Sequence, residues 1–101
     1  MRGSSFTIEF TKPAYRHLGV FRRFDRNRIL DSVKEQLTYK PQEETRNKKC
    51  LRPNPLADWE LRIAPYRVFY DVDETTQVVR IIAIAIKERD KLIIEGEEVI
   101  L

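Results

Sequence analysis

Residues 78–86, VVRIIAIAI, are apolar at every position except Arg80 and dominated by β-branched side chains. A run this short without polar alternation reads as a strand covered on both faces, the centre of a sheet. Such a strand needs partners, and the flanking sequence supplies them. Trp59, Leu61 and Ile63 alternate with Glu60 and Arg62, the period of a half-buried strand. Pro65 breaks that run, residues 66–72 resume it, and Asp73, Glu74, Thr75 and Thr76 make a turn into the central strand. Beyond it, residues 87–91 read as a charged connection, and residues 92–94 and 99–101 flank a turn at Glu95, Gly96 and Glu97.

The N-terminal half reads differently. Phe6, Ile8 and Phe10 alternate with Thr7, Glu9 and Thr11, which predicts a first strand. Thr11 then caps a short helix with Pro13 at an early position, where its missing N–H costs nothing. Ala14, Leu18 and Phe21 give that helix its apolar side, and Gly19 ends or kinks it. A second helix is predicted over residues 22–39, with Leu30, Val33 and Leu37 as the stripe packed on the first strand and Ile29 widening it. Pro41 stops it, and residues 41–55 read as a connection without regular structure, a length usually kept for function. The order is β-α-α-β-β-β(-β): an α+β fold with two N-terminal helices on one face of a small twisted antiparallel sheet. At 101 residues the expectation is one domain spanning 1–101.

Scarce residue types narrow the chemistry. Cys50 and His17 are each alone. No intrachain disulfide can form, which favours the cytoplasm, and a structural zinc set is not met. A nucleophile–His system would have to use His17. No apolar stretch approaches the roughly 18 residues of a membrane span, and MRGSSFTIEF lacks the apolar core of a secretory signal. Neither a metal nor a cofactor is expected. Reactions are left to Arg, Lys, Tyr, Asp and Glu.

Charge is unevenly placed. Residues 1–56 carry 13 Lys/Arg against 6 Asp/Glu, and residues 57–101 carry 6 against 10. The excess gathers at Arg22, Arg23, Arg26 and Arg28, and again at Arg46, Lys48, Lys49 and Arg52. Such clusters suit a polyanion, whose counterions they release; a solvated helix face and a polar loop are the plainer alternative. Lys48 and Lys49 are the pair best read as a phosphate-contacting loop. Trp59 and Phe69 are expected in the core rather than stacked on bases, while Tyr15, Tyr66 and Tyr70 fit either stacking or burial. His17 is expected to be exposed and Cys50 partly buried. For Arg67 the plain alternative is a structural pairing with Asp71 or Asp73.

The run from Trp59 to Val72, with Thr45-Arg46-Asn47, Leu51-Arg52-Pro53-Asn54-Pro55-Leu56 and Val79-Arg80-Ile81-Ile82-Ala83-Ile84, resembles the RelE/ParE toxin superfamily over nearly the whole chain. The resemblance implies a RelE-like fold and a toxin of a type II toxin–antitoxin system, neutralised by a small acidic antitoxin. RelE-like members are metal-independent endoribonucleases acting on ribosome-bound mRNA; ParE-like members inhibit DNA gyrase; a decayed toxin would only bind its antitoxin. Under the ribonuclease reading, Arg67 matches the arginine at the scissile phosphate, Arg62 a basic position one strand back, and Lys87 a second phosphate-binding cation. Arg46, Lys48, Lys49, Arg52 and Arg89 are then the candidate RNA contacts. Departures accompany the match. Asp58 and Glu60 stand where the ribosome-dependent enzyme has lysines, Ile93 where a C-terminal tyrosine assists catalysis, and Lys49 where a Glu/His-using relative has its Glu. Glu60 and Glu88 remain as candidate bases that no motif assigns.

Overall fold

A computed structural model describes residues 4–101; Met1, Arg2 and Gly3, part of the segment read as lacking a secretory signal, lie outside them. The elements are β1 (Thr7–Phe10), α1 (Lys12–Gly19), α2 (Arg23–Leu37), β2 (Lys48–Cys50), β3 (Trp59–Ile63), β4 (Tyr66–Asp73), β5 (Val78–Glu88), β6 (Lys91–Ile94) and β7 (Glu97–Val99). Among the described residues the strands form one sheet ordered β2-β3-β4-β5-β6-β7, with β1 also paired to β5. Every pairing is antiparallel except that of β1, which lies parallel to the first part of β5, Thr7 opposite Val78 and Phe10 opposite Ile81. The long path through both helices gives β1 that freedom of direction.

The helices cover one face. Ala14, Leu18, Ile29, Val33 and Leu37 pack there on Leu61, Val68, Tyr70, Val79, Ile81 and Ile84, with Phe6, Ile8 and Phe10 partly buried beneath. The second helix is shorter than the expected 22–39, and its stripe is turned by one residue. Ile29 is fully buried, whereas Leu30 is 39% exposed. Ile29, Val33 and Leu37 keep i, i+4 spacing and so share one side; Leu30 lies about 100° further round the helix.

As expected of the central strand, β5 is covered on both sides. Its second face packs Ala83 and Ala85 with Ala57 and Phe69, and with Leu51, Leu56 and Leu92 at the margin. Tyr70 pairs with Ile81 and Phe69 with Ala83, so Ile82 is an extra residue in a β-bulge. The strand also runs two residues past its expected end, and the connection at 87–91 reduces to a tight turn at Arg89 and Asp90. Likewise β7 begins and ends two residues earlier than the expected 99–101, following a turn in which Glu95 and Gly96 have φ of 51° and 81°.

Residues 41–55 are not structureless. They contain β2, paired to β3 with Lys49 opposite Glu60. Asn54 pins the next stretch: its Nδ2 donates to the carbonyls of Arg52 (2.7 Å) and Ala57 (2.9 Å), and its Oδ1 accepts from the amides of Leu56 and Ala57. Pro41 is fully buried, and its carbonyl accepts from the Tyr70 hydroxyl at 2.6 Å. Trp59 and Tyr70 stack in the core, 6.1 Å apart, and Cys50 is exposed rather than partly buried.

His17 also departs from expectation, being 5% exposed. The cause is a gap along β5, where β1 stops pairing at Ile81 and β6 begins at Ile86. Side chains at and near α1 fill it. The Thr11 hydroxyl donates to the Ile82 carbonyl at 3.2 Å, and His17 Nδ1 accepts from the Ile84 amide at 3.1 Å. His17 Nε2 faces Glu95, 3.4 Å away, and Arg16 grips the same carboxylate at 2.7 Å. Burial holds the imidazole below its ordinary pKa of 6.5 against the pull of Glu95, with Arg16 adding to the lowering. The unfolded chain therefore takes up this proton first as pH falls, and stability is lost from the unfolded value of 6.5 down toward the depressed native one. The denaturation midpoint of the native chain falls between about pH 7 and about pH 5, and that of His17→Gln stays flat over the same window. Equal slopes for the two proteins would refute this account.

Candidate nucleic-acid interface

The face of the sheet away from the helices is covered by residues 51–57 over Phe69, Ala83 and Ala85 and carries exposed cations beside them, and strand alternation decides which. Trp59, Leu61 and Ile63 of β3 point to the helices, so Glu60 and Arg62 point away. On β4, Tyr66, Val68 and Tyr70 point to the helices and Arg67 and Phe69 away. Register then aligns rows across the strands. Lys49, Glu60, Phe69 and Ala83 form one, and Arg62, Arg67 and Ala85 the next. Two arginines directly opposite each other would repel. A carboxylate resolves this: Arg62 Nε donates to Glu60 Oε1 at 2.9 Å, and Arg67 Nε lies 3.8 Å from Glu60 Oε2. The Glu60 and Arg67 side chains are 8% and 12% exposed, whereas Arg62 is 46% exposed. Arg67 thus pairs across the strands with Glu60, rather than with Asp71, whose carboxylate instead accepts from the Asp58 amide at 2.7 Å.

Lys87 follows Ala85 by two residues and is exposed on the same face; its amide donates to the Pro65 carbonyl at 2.7 Å. Its partner on β6 is Leu92. Arg89 is exposed in the adjoining turn with φ of 58°, and Arg46 and Arg52 are exposed on the segments flanking β2. Arg62, Arg67, Lys87 and Lys49 are therefore gathered on one face, with Arg46, Arg52 and Arg89 in the connections beside it. Among the described residues no three His, Cys, Asp or Glu side chains come together as a metal site would require.

Lys48 does not belong to that surface. It is 4% exposed, on the helix side of β2, and its Nζ donates to the carbonyls of Gln36 (3.1 Å) and Lys40 (2.8 Å). The Gln36 carbonyl is in the last turn of α2, where the helix leaves acceptors unpaired and its dipole is negative, and that of Lys40 is in the turn that follows, so Lys48 ties the helix end to its exit. Burial lowers its pKa from 10.5, opposed by Glu43. Lys48→Ala is expected to cost about 1–3 kcal/mol in urea denaturation by orphaning two acceptors, while leaving the salt dependence of polyanion binding unchanged. Lys49→Ala reverses the pattern: stability holds, and the salt slope flattens by about one ion. A Lys48 variant of full stability with a flattened slope would contradict the assignment.

The helix arginines are partly engaged. Arg28 donates to the Ala64 carbonyl at 2.7 Å with its guanidinium 5.9 Å from the Tyr66 ring centre, and both it and Arg22 lie 3.8 Å from Asp25. Ile93, which the resemblance matches to a tyrosine, lies on the helix side of the sheet rather than beside Lys87: it lines a groove with His17, Phe21, Ile86 and Glu88 beside α1. The residue of β6 beside Lys87 is Leu92.

The model of the ParE toxin of type II toxin–antitoxin systems (parDE) matches residues 8–91. The chain belongs to the RelE/ParE toxin superfamily. Solved toxins share this superfamily fold. The RelBE2 toxin–antitoxin complex of Mycobacterium tuberculosis contains a chain 23% identical, with a TM-score of 0.71 over 82% of this chain and 99% of that one. The RelE–RelB complex of Pyrococcus horikoshii gives 19% identity and a TM-score of 0.68 over 84% and 98%. A mutant of E. coli RelE in the free state gives 23% and 0.59 over 79% and 81%. No curated protein sequence matches significantly. Within this toxin fold, Lys48 and Asn54 are the structural residues that sequence reasoning placed wrongly or passed over. The Pro53-Asn54-Pro55 turn signal could have marked the second.

Proposed function

We propose that this toxin is a metal-independent endoribonuclease that cuts ribosome-bound mRNA, leaving a 2′,3′-cyclic phosphate, and that a small acidic antitoxin neutralises it. The observation that carries the reading is the Arg62–Arg67 pair held by one carboxylate on the face away from the helices, with Lys49 and Lys87 on that same face. Attack of a 2′-hydroxyl on the neighbouring phosphate builds negative charge on the phosphoryl oxygens, and fixed guanidiniums stabilise it. A face this rich in cations also suits an acidic partner, which would cover the same charges. Among the described residues no helix is long and apolar enough to cross a membrane.

Primer extension on mRNA from cells expressing the chain should show discrete cuts within translated frames. Co-expression with a small acidic neighbouring frame should abolish them and yield a complex on pull-down. A second reading, inhibition of DNA gyrase as in ParE-like members, is favoured by Leu92, which leaves no aromatic hydroxyl beside Lys87. Intact mRNA together with blocked supercoiling by purified gyrase would establish that reading and reject the first.

A further inference from the structure

We propose that Glu60 is the general base of this cleavage, masked by Arg62 until the scissile phosphate draws that guanidinium away. The proposal rests on the ribonuclease reading above. Glu60 is the acidic side chain among the described residues that is buried, at 6% exposure, on the face of the sheet away from the helices. Burying a carboxylate there is costly unless donors compensate, and here two guanidiniums do so. They are unequal. Arg67 is largely shielded and sits 3.8 Å from Oε2; Arg62 is half-exposed and bonds Oε1 at 2.9 Å. Arg62 is therefore the removable partner.

A phosphodiester arriving on this face meets Arg62 first, and planar two-point binding of phosphate takes the same N–H edge that Glu60 uses. The exchange leaves Glu60 Oε1 without its donor, next to a phosphate whose attacking 2′-hydroxyl needs a base. The proton of that hydroxyl passes to Oε1 as the bond from the 2′ oxygen to phosphorus forms. The bond from phosphorus to the 5′ oxygen breaks, and that oxygen takes a proton from water. The resulting hydroxide then removes the proton from Glu60. Arg67 stays in place to hold the phosphoryl charge. Glu88, the other carboxylate left open by the sequence, is excluded from this step because it lines the groove beside α1 on the opposite face.

The test is single-turnover cleavage by the full chain on ribosomes programmed with mRNA, across pH, with circular dichroism as a check on folding. Glu60→Gln keeps the size and an acceptor for Arg62 but removes the base. Its rate should fall about 10²–10⁴-fold and the acid limb of its pH–rate profile should vanish. Affinity for a programmed mRNA blocked by a 2′-O-methyl group should rise, because the neutral amide competes less with phosphate for Arg62. Glu60→Asp, one methylene shorter, should be slowed but keep the acid limb. A Glu60→Gln protein that cuts at the native rate, or cuts slowly with the acid limb intact, overturns the proposal while leaving the ribonuclease reading standing. Should Glu60→Gln not fold, a Glu60→Asp protein of unchanged rate overturns it equally. A native chain that leaves ribosome-bound mRNA whole overturns both.

Discussion

Arg67→Ala should lower the single-turnover rate of mRNA cleavage about 10²–10³-fold, the loss typical when one preorganised donor is deleted from a charged site. Preorganisation is the reason to expect the upper part of that range. The side chain is largely shielded, lies opposite Arg62 in register, and stands 3.8 Å from Glu60 before any substrate arrives. It thus needs no rearrangement when charge develops. Arg67→Lys restores the charge but not the planar fork, so it should recover little of the rate. The fold should survive, because Arg62 still bonds the Glu60 carboxylate. Lys49→Ala provides the contrast: it weakens binding of ground and transition states alike and leaves the saturated rate nearly intact. If Arg67→Ala is folded and cuts at the native rate, this face is not the active surface.

Leu37→Ala should cost about 2–5 kcal/mol. Leu37 is fully buried in the last turn of α2, among side chains of both layers. The truncation removes apolar contact and leaves a cavity that the sheet beneath cannot close. Leu30→Ala, one side of the same helix away and 39% exposed, should cost less than about 1 kcal/mol. Urea denaturation of the two variants tests the orientation of α2 directly, and equal losses would mean the helix is turned differently.

Those two leucines show what the chain reveals locally and what it hides. Strands at 59–63 and 66–73 were legible because alternation has a single solution on a sheet with one covered face. A helix stripe is wider, so both Ile29 and Leu30 fit the spacing with Val33 and Leu37, and only packing chooses between them. β2 was hidden because three residues, two of them lysine, carry no apolar period. Lys48 was misplaced for a related reason. Its partners are carbonyls in the last turn of α2 and the turn that follows, and side-chain type says nothing about a distant helix terminus. His17 had the same blind spot, since its acceptor role depends on an amide 67 residues away. Arg62, Arg67 and Lys87 were singled out by their position in a resembling family, and their common face follows from strand parity. The helix-side position of Ile93 was hidden by the length of the turn at Arg89 and Asp90, which sets the parity of everything after it.

The parallel seat of β1 along β5 carries a consequence for how the molecule comes into being. Thr7 through Phe10 leave the ribosome about seventy residues ahead of their partners, residues 78–81. Until those are made, β1 has no strand to pair with, and α1, which packs on β5, has no strand beneath it. The first half of the chain owns no core of its own. Its order must therefore arrive late and at once, when β4 and β5 close over it, and a synthesis interrupted before Ile81 leaves a basic, apolar-striped fragment without a toxin's fold.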